Sequence, residues 1–266
     1  MEQPLTWLTL ALLVNLGGNT SLVGGLNVIT TIKGWVLHLP SLFAGILISL
    51  FSFTYQTRSL DVFNKSLMIN QRFLWLSTLP LVIFFISIFR PLLYFLFGES
   101  YSIFWHAGVV LLLWCLLQPV NEVNDRAMIA MGKMWLSLFF RTIYFMTFFV
   151  MLFLLVPVYH LTGYVIANGV AYFIYVLIQT MWLILHLKLS PGFYLPLSFL
   201  TIFFLLLALL VANFSSSFIS IFIGLLLFVL VVLIEWFLIA TKEEKSIVFE
   251  CLRKAIKKNN KEDNSC

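Results

Sequence analysis

Long apolar runs separated by short polar segments occupy most of this 266-residue chain. A helix needs about 20 predominantly apolar residues to cross the hydrocarbon core of a bilayer. Six runs meet this requirement, near residues 74–97, 103–122, 135–158, 164–185, 194–211 and 218–240. Apolar residues make up 62% of the chain and charged residues only 10%, which is more hydrocarbon than a water-soluble core could bury. The sequence therefore predicts an all-α, polytopic membrane protein.

A seventh span is predicted near residues 28–55. It contains Lys33, His38 and Pro40, so it can cross the membrane only if these side chains face protein or water.

The first apolar run, 5–16, is too short to span by itself, and several glycines follow within 17–25. A first span near 5–26 is therefore expected to be clipped. With it, the prediction is a bundle of about eight transmembrane helices over 1–240, followed by a basic cytoplasmic tail over 241–266.

Positive charge is distributed unevenly about these spans. When the spans are taken as consecutive crossings, all of the 16 Lys and Arg residues except Lys33 and Arg90 fall on one side. The positive-inside bias makes that side the cytoplasm and places both termini there.

The longest predicted inner loop is 56–73. The predicted outer turns are short: 98–102, 159–163 and 213–217. Because the net charge of +5 is mostly juxtamembrane, nucleic-acid binding is not expected.

Motifs that would indicate an enzyme or a bound cofactor are missing from the sequence. It has no metal-spaced histidine pair, no glycine-rich phosphate loop and no nucleophile elbow. Its three cysteines, Cys115, Cys251 and Cys266, form neither a disulfide pattern nor a metal-ligand spacing. We therefore expect no catalytic residue, no metal site and no cofactor.

Two cations within the predicted spans are candidate ligand contacts. A charge near the bilayer centre costs about 2.5–3.5 kcal/mol, so it needs a partner, water or an escape route. Lys33 and Arg90 both lie in outer halves of spans, where each could contact an anionic substrate in a central cavity. The alternative is a cation that snorkels to the interface or pairs internally.

A polar stripe marks the inner half of the span that begins near residue 103. Its members share one helical face because they are spaced by three, one and three residues: Gln118, Asn121, Glu122 and Asp125. This stripe predicts a water-filled or substrate-facing cavity open to the cytosol. Alternatively, the helix has already left the bilayer by Pro119. Arg126 follows Glu122 by four residues, which predicts a local ion pair.

Three segments carry a resemblance to a transporter family. They are Arg90–Tyr101 (RPLLYFLFGESY), Ala127–Lys133 (AMIAMGK) and Val156–Ala171 (VPVYHLTGYVIANGVA). In order and spacing they resemble polysaccharide and O-antigen flippases of the multidrug, oligosaccharidyl-lipid and polysaccharide exporter superfamily. Members have two similar lobes, and this chain resembles only the second lobe with two additional terminal spans. The resemblance thus implies one lobe of a two-lobe transporter, completed by a second copy or by a separate first-half chain.

The resemblance also implies a function. The chain would be a flippase component that moves an isoprenoid-diphosphate-linked oligosaccharide across the bacterial inner membrane. Arg90 and Lys33 would attract the diphosphate, and the polar stripe would hydrogen-bond sugar or bind a coupling cation.

Other functions remain open at this point. One alternative is a truncated or split fragment that does not transport, and another is an assembly subunit. A membrane glycosyltransferase or polymerase is disfavoured, because Glu99 is the only carboxylate in the predicted outer turns.

Overall fold

The computed structural model describes residues 2–17, 20–57, 60–187, 195–214 and 217–235. These residues are almost entirely helical and include no strand, which confirms the predicted all-α class. The predicted tail, 241–266, lies outside the described residues. The helices are α1 (Glu2–Gly17), α2 (Ser21–Thr57), α3 (Leu60–Phe97), α4 (Glu99–Ser102), α5 (Trp105–Cys115), α6 (Leu117–Ala130), α7 (Met134–Leu187), α8 (Leu195–Phe214) and α9 (Ser217–Ile234).

Within this described part of the chain, three helical stretches are long and apolar enough to cross a membrane. They are α3, the continuous pair α5 and α6 over Trp105–Ala130, and α7. Shorter apolar stretches lie within α1, α8 and α9. The length and composition of these helices are consistent with membrane association.

Helix α7 is a helical hairpin. Its backbone breaks at His160, where φ is 48° and ψ is −123°. The two halves, 134–159 and 161–187, run antiparallel, because residues farther before the break contact residues farther after it. The Phe148 and Tyr164 rings lie 5.5 Å apart, and the Asn168 amide donates to the Tyr144 hydroxyl at 3.4 Å. The break falls inside the predicted turn 159–163.

The amino-terminal helices differ from the prediction. A single span over 5–26 is wrong, because α1 ends at Gly17 and α2 begins at Ser21. Glycine is a poor helix former, which is consistent with the end of α1 at Gly17. Residues 21–26 instead form the first turns of the 37-residue α2.

The predicted inner loop over 56–73 is also wrong over most of its length. Helix α3 begins at Leu60, well before the apolar run that starts near residue 74. Phe63 and Leu67 lie one turn apart on the same face, are fully buried, and belong to a cluster that includes Phe51 of α2. Packing against α2 therefore keeps this amphipathic segment helical, although it is too polar to resemble a span.

Two packing centres hold the bundle together. Helix α3 is central and contacts α2, α5, α6, α8 and α9. The α7 hairpin packs on α1, α5 and α6. The polar side of α6 consequently faces both halves of the hairpin, and the candidate site lies there.

Candidate functional site

A cavity of about 480 Å³ lies between α1, α2, α6 and the α7 hairpin. All four members of the predicted stripe on α6 line it, which confirms that they share one face. Lys33 lines the same cavity from α2. Of the six residues predicted to contact ligand, the structure thus brings five together. Their contact with a ligand stays a prediction.

Arg90 is the predicted residue that the structure does not bring to this cavity. Its side chain is exposed, and its guanidinium carbon lies 6.0 Å from the centre of the Trp105 ring. Its neighbours Phe89 and Pro91 are buried, so the helical phase of α3 turns Arg90 outwards. Sequence position indicates the depth of a residue in the membrane, whereas helix packing decides the direction in which it points.

Asp125 is the centre of the polar network on α6. The Ser137 hydroxyl donates to it at 2.8 Å, the Tyr175 hydroxyl at 3.0 Å and the Gln179 amide at 2.7 Å. An Arg141 guanidinium nitrogen lies 3.3 Å from its other oxygen. Asp125 is only 7% exposed, so this carboxylate is satisfied inside the protein. It joins α6 to both halves of the α7 hairpin.

A second buried amide reinforces this arrangement. Asn124, fully buried, accepts a hydrogen bond from Gln71 of α3 and donates one to the Thr180 hydroxyl at 2.9 Å. Pro119 lies in the first turn of α6, where proline is tolerated, and Asn124 and Asp125 after it are packed against protein.

The predicted local ion pair on α6 is confirmed. Arg126 donates to one carboxylate oxygen of Glu122 at 2.6 and 3.1 Å. Both side chains are about a third exposed, at 32% and 33%. This pair is therefore partly hydrated, unlike the buried contacts of Asp125.

Arg141 is the site residue that sequence reasoning missed. Its position near the inner end of a span was interpreted as one more cytoplasmic charge that orients the bundle. In the structure, the Arg141 side chain lines the cavity and lies beside Asp125. A signal was available, since an arginine about two turns inside an apolar run needs a partner. Its partner lies 16 residues away on another helix, which periodicity cannot reveal.

Two ion pairs lie at the cavity, and Lys33 takes part in neither of them. Arg141 pairs with Asp125, and Arg126 pairs with Glu122. Lys33 lines the cavity and has no ion pair within the described part of the chain. An ammonium group without an ion-pair partner attracts anions.

Aromatic rings from both halves of the α7 hairpin also line the cavity. Tyr144 stacks on Phe148 with ring centres 6.0 Å apart. The ring centres of Tyr172 and Tyr175 each lie within 6.0 Å of the Tyr144 ring centre. This wall therefore presents both tyrosine hydroxyl groups and apolar ring faces to the cavity. On the α6 side, Asn121 is 6% exposed, and its side-chain oxygen has no hydrogen-bond partner among the described atoms.

The described part of the chain offers no arrangement of side chains that suggests a metal centre. No group of three or more His, Cys, Asp or Glu side chains is placed to hold a metal ion in that part of the chain.

The fold and site together define an all-helical protein with membrane-length helices around a polar, cation-bearing cavity. Comparison with protein-family models, with curated proteins and with solved structures finds no match to this chain.

Proposed function

We propose that the chain is a component of a flippase for an isoprenoid-diphosphate-linked oligosaccharide in the bacterial inner membrane. The observation that carries this proposal is Lys33, which lines a polar cavity beside α6 and the α7 hairpin and has no ion pair within the described part of the chain. A diphosphate crossing the bilayer needs a cationic contact, because the bare anion is strongly disfavoured in hydrocarbon. The resemblance of the three segments to the flippase family points to the same substrate class.

In this proposal, each wall of the cavity has a separate task. Lys33 contacts the diphosphate. Gln118, Asn121 and Glu122 face the sugars with amide and carboxylate groups, while the isoprenoid tail stays in the bilayer. Asp125 has its acceptor capacity taken by four protein groups, so its task is to position α6 against α7.

The proposal includes an arrangement in the membrane. About eight spans would cross it, with both termini in the cytoplasm, following the positive-inside bias. A second lobe, from another copy or a separate first-half chain, would close the cavity and allow alternating access, as in transporters built from repeats.

Burial on α6 supports transport over an assembly subunit. A subunit without a transport path would leave the polar stripe facing headgroups or bulk cytosol. Asn121 and Asp125 are instead at most 7% exposed and line the cavity beside the α7 hairpin.

Replacing Lys33 by glutamine is expected to reduce glycolipid export by roughly 10- to 100-fold. A hydrogen bond to a charged group contributes about 1.5–3 kcal/mol, and each 1.4 kcal/mol corresponds to about tenfold. The measurement is surface polysaccharide in cells lacking the chromosomal gene and complemented with each variant at matched membrane abundance.

Lys133→Gln is the matched control for this substitution. Lys133 is an exposed lysine in the turn between α6 and α7, outside the cavity. The control should export at the level of the unmodified chain. Equal export by the two variants would contradict the proposal, and so would sugar transfer to lipid by the purified protein without movement between leaflets.

A further inference from the structure

The outward face of α2 carries a polar stripe in its first half. Five exposed residues follow one another at spacings of four, three, four and three residues, and we name this set the α2 seam: Asn27, Thr31, Gly34, His38 and Ser41. The buried side chains Ile29, Ile32 and Val36 lie on the opposite side of the helix and belong to the core of the bundle. The α2 seam therefore points away from that core.

In the proposed membrane arrangement, the α2 seam lies at the depth of the hydrocarbon core. Gly25 marks the outer end of α2, because a Cβ there would lie 2.7 Å from the ring of Phe104, just after the predicted outer turn 98–102. A helix rises about 1.5 Å per residue, so Thr31 lies about 9 Å and His38 about 20 Å further in along α2. Since the hydrocarbon core is about 30 Å thick, both residues lie within it.

Lipid suits the other outward faces of the bundle but not the α2 seam. The exposed side chains of α7, α8 and α9 are mostly apolar and include Met146, Val150, Phe153, Phe203, Leu206, Leu210, Phe222, Leu225 and Val229. An amide or an imidazole that faces hydrocarbon, in contrast, leaves its hydrogen-bonding groups unsatisfied, which costs free energy. In membranes, Asn, Ser, Thr and His side chains instead hydrogen-bond to a neighbouring helix. The α2 seam thus fits a protein partner.

The spacing of the α2 seam indicates that this partner is a helix running alongside α2. Residues that repeat at alternating spacings of four and three form the line along which two helices pack as a left-handed pair, and an asparagine in that line fixes the register. Gly34 lies in the middle of the seam, and a Cβ there would meet no atom of the chain within 4 Å. A neighbouring helix therefore has room to approach.

A second copy of α2 is the helix that the α2 seam matches. Two copies inserted in the same orientation are related by a two-fold axis along the membrane normal, so each seam residue meets its own counterpart. The seam contains no Lys, Arg, Asp or Glu, so like charges do not meet. The Asn27 amide can both donate and accept hydrogen bonds. The Thr31 hydroxyl donates to the Asn27 carbonyl at 2.8 Å, and its oxygen can still accept from the second copy.

We propose that the chain forms a homodimer in which the α2 seams of two copies pack against each other. A second copy, rather than a separate first-half chain, is thus the partner on this face. This inference rests on the membrane arrangement of the proposed function, but it does not depend on which substrate is carried.

Disulfide cross-linking of the full chain in native membranes tests this interface. The three native cysteines are replaced by alanine, and single cysteines are introduced on the seam as Asn27→Cys, Thr31→Cys or His38→Cys. Val150→Cys is the matched control, because Val150 is exposed on α7 and lies ten residues before the break at His160, about 15 Å along the helix. Mild copper-catalysed oxidation is followed by electrophoresis without reductant, and the yield of cross-linked dimer is measured.

Each seam cysteine should give roughly ten times the dimer yield of Val150→Cys, equivalent to about 1.4 kcal/mol. Adding Gly34→Leu should lower the yield from Thr31→Cys by roughly tenfold, because the leucine fills the space that the second helix occupies. Thr142→Leu adds a leucine at an exposed position of α7 and should leave that yield unchanged. Seam yields no higher than the control would overturn the homodimer, whether water, lipid or a different protein then covers the seam. An undiminished yield in the Gly34→Leu chain would also overturn it.

Two further comparisons keep this result separate from folding and from the flippase proposal. If Gly34→Leu lowers the abundance of the chain in membranes, the comparison of the three seam cysteines with Val150→Cys still decides, because it does not use that variant. Release of the chain from membranes by alkaline carbonate would reject the membrane arrangement, whereas a retained chain without seam cross-links would reject the homodimer alone. Seam cross-links without glycolipid export would reject the flippase alone.

Discussion

Replacing Asp125 by leucine is expected to prevent most of the chain from accumulating as folded protein. The substitution leaves the Tyr175 hydroxyl and the Gln179 amide, which are 2% and 0% exposed, without the acceptor that they share. Each unsatisfied buried donor costs about 1–3 kcal/mol. Two such donors lower the ratio of folded to unfolded protein by roughly 30-fold or more. The measurement is the monodisperse fraction on size-exclusion chromatography after extraction in a mild detergent.

Glu122→Leu is the matched control, since it removes a carboxylate one turn earlier on the same face of α6. Arg126, its partner, is a third exposed and can be hydrated when the pair is lost. Exposed pairs of this kind contribute about 0–1 kcal/mol, so the control should retain most of its folded fraction. Equal losses from the two substitutions would show that Asp125 is not the centre of the network.

A second large effect is expected from Gly163→Ala in the α7 hairpin. A Cβ at Gly163 would overlap the carbonyl oxygen of Leu155 and lie 2.7 Å from its carbonyl carbon. Those are backbone atoms of the opposing half, so no side-chain rotation can relieve the overlap, and the two halves must separate. Overpacking of this kind costs about 1–3 kcal/mol. The measurement is the temperature at which half of the detergent-solubilised protein loses its monodisperse peak.

Gly34→Ala provides the comparison for Gly163→Ala. Gly34 lies within α2, and a Cβ there would meet nothing within 4 Å. Alanine is favoured over glycine inside a helix by about 0.5–1 kcal/mol, so this control should be as stable as the unmodified chain or slightly more stable. Loss of stability in Gly34→Ala but not in Gly163→Ala would contradict the hairpin geometry.

The network around Asp125 illustrates how a membrane-length bundle accommodates polar side chains. Lipid supplies no hydrogen bonds, so groups inside the bundle must find partners on neighbouring helices. Asn124 and Asp125 find theirs on α3 and on both halves of α7. Lys33, in contrast, lines the cavity without an ion pair in the described part of the chain.

Local patterns in the sequence determined a substantial part of this protein. Apolar runs predicted the all-helical class and membrane-length helices. Helical spacing placed the four polar residues of α6 on one face, and the four-residue separation of Glu122 and Arg126 predicted their ion pair. These features depend on neighbours within a few residues, which is the range over which helix geometry is fixed.

Only the tertiary structure decided what those faces meet. It directed Arg90 outwards, brought Arg141 to Asp125, and extended α3 back to Leu60 through burial against α2. Gln179, which is 54 residues from Asp125, completes the network because the α7 hairpin folds back beside α6. Periodicity specifies which residues share a side of a helix, but the rotation and packing of each helix depend on distant contacts that the local pattern does not encode.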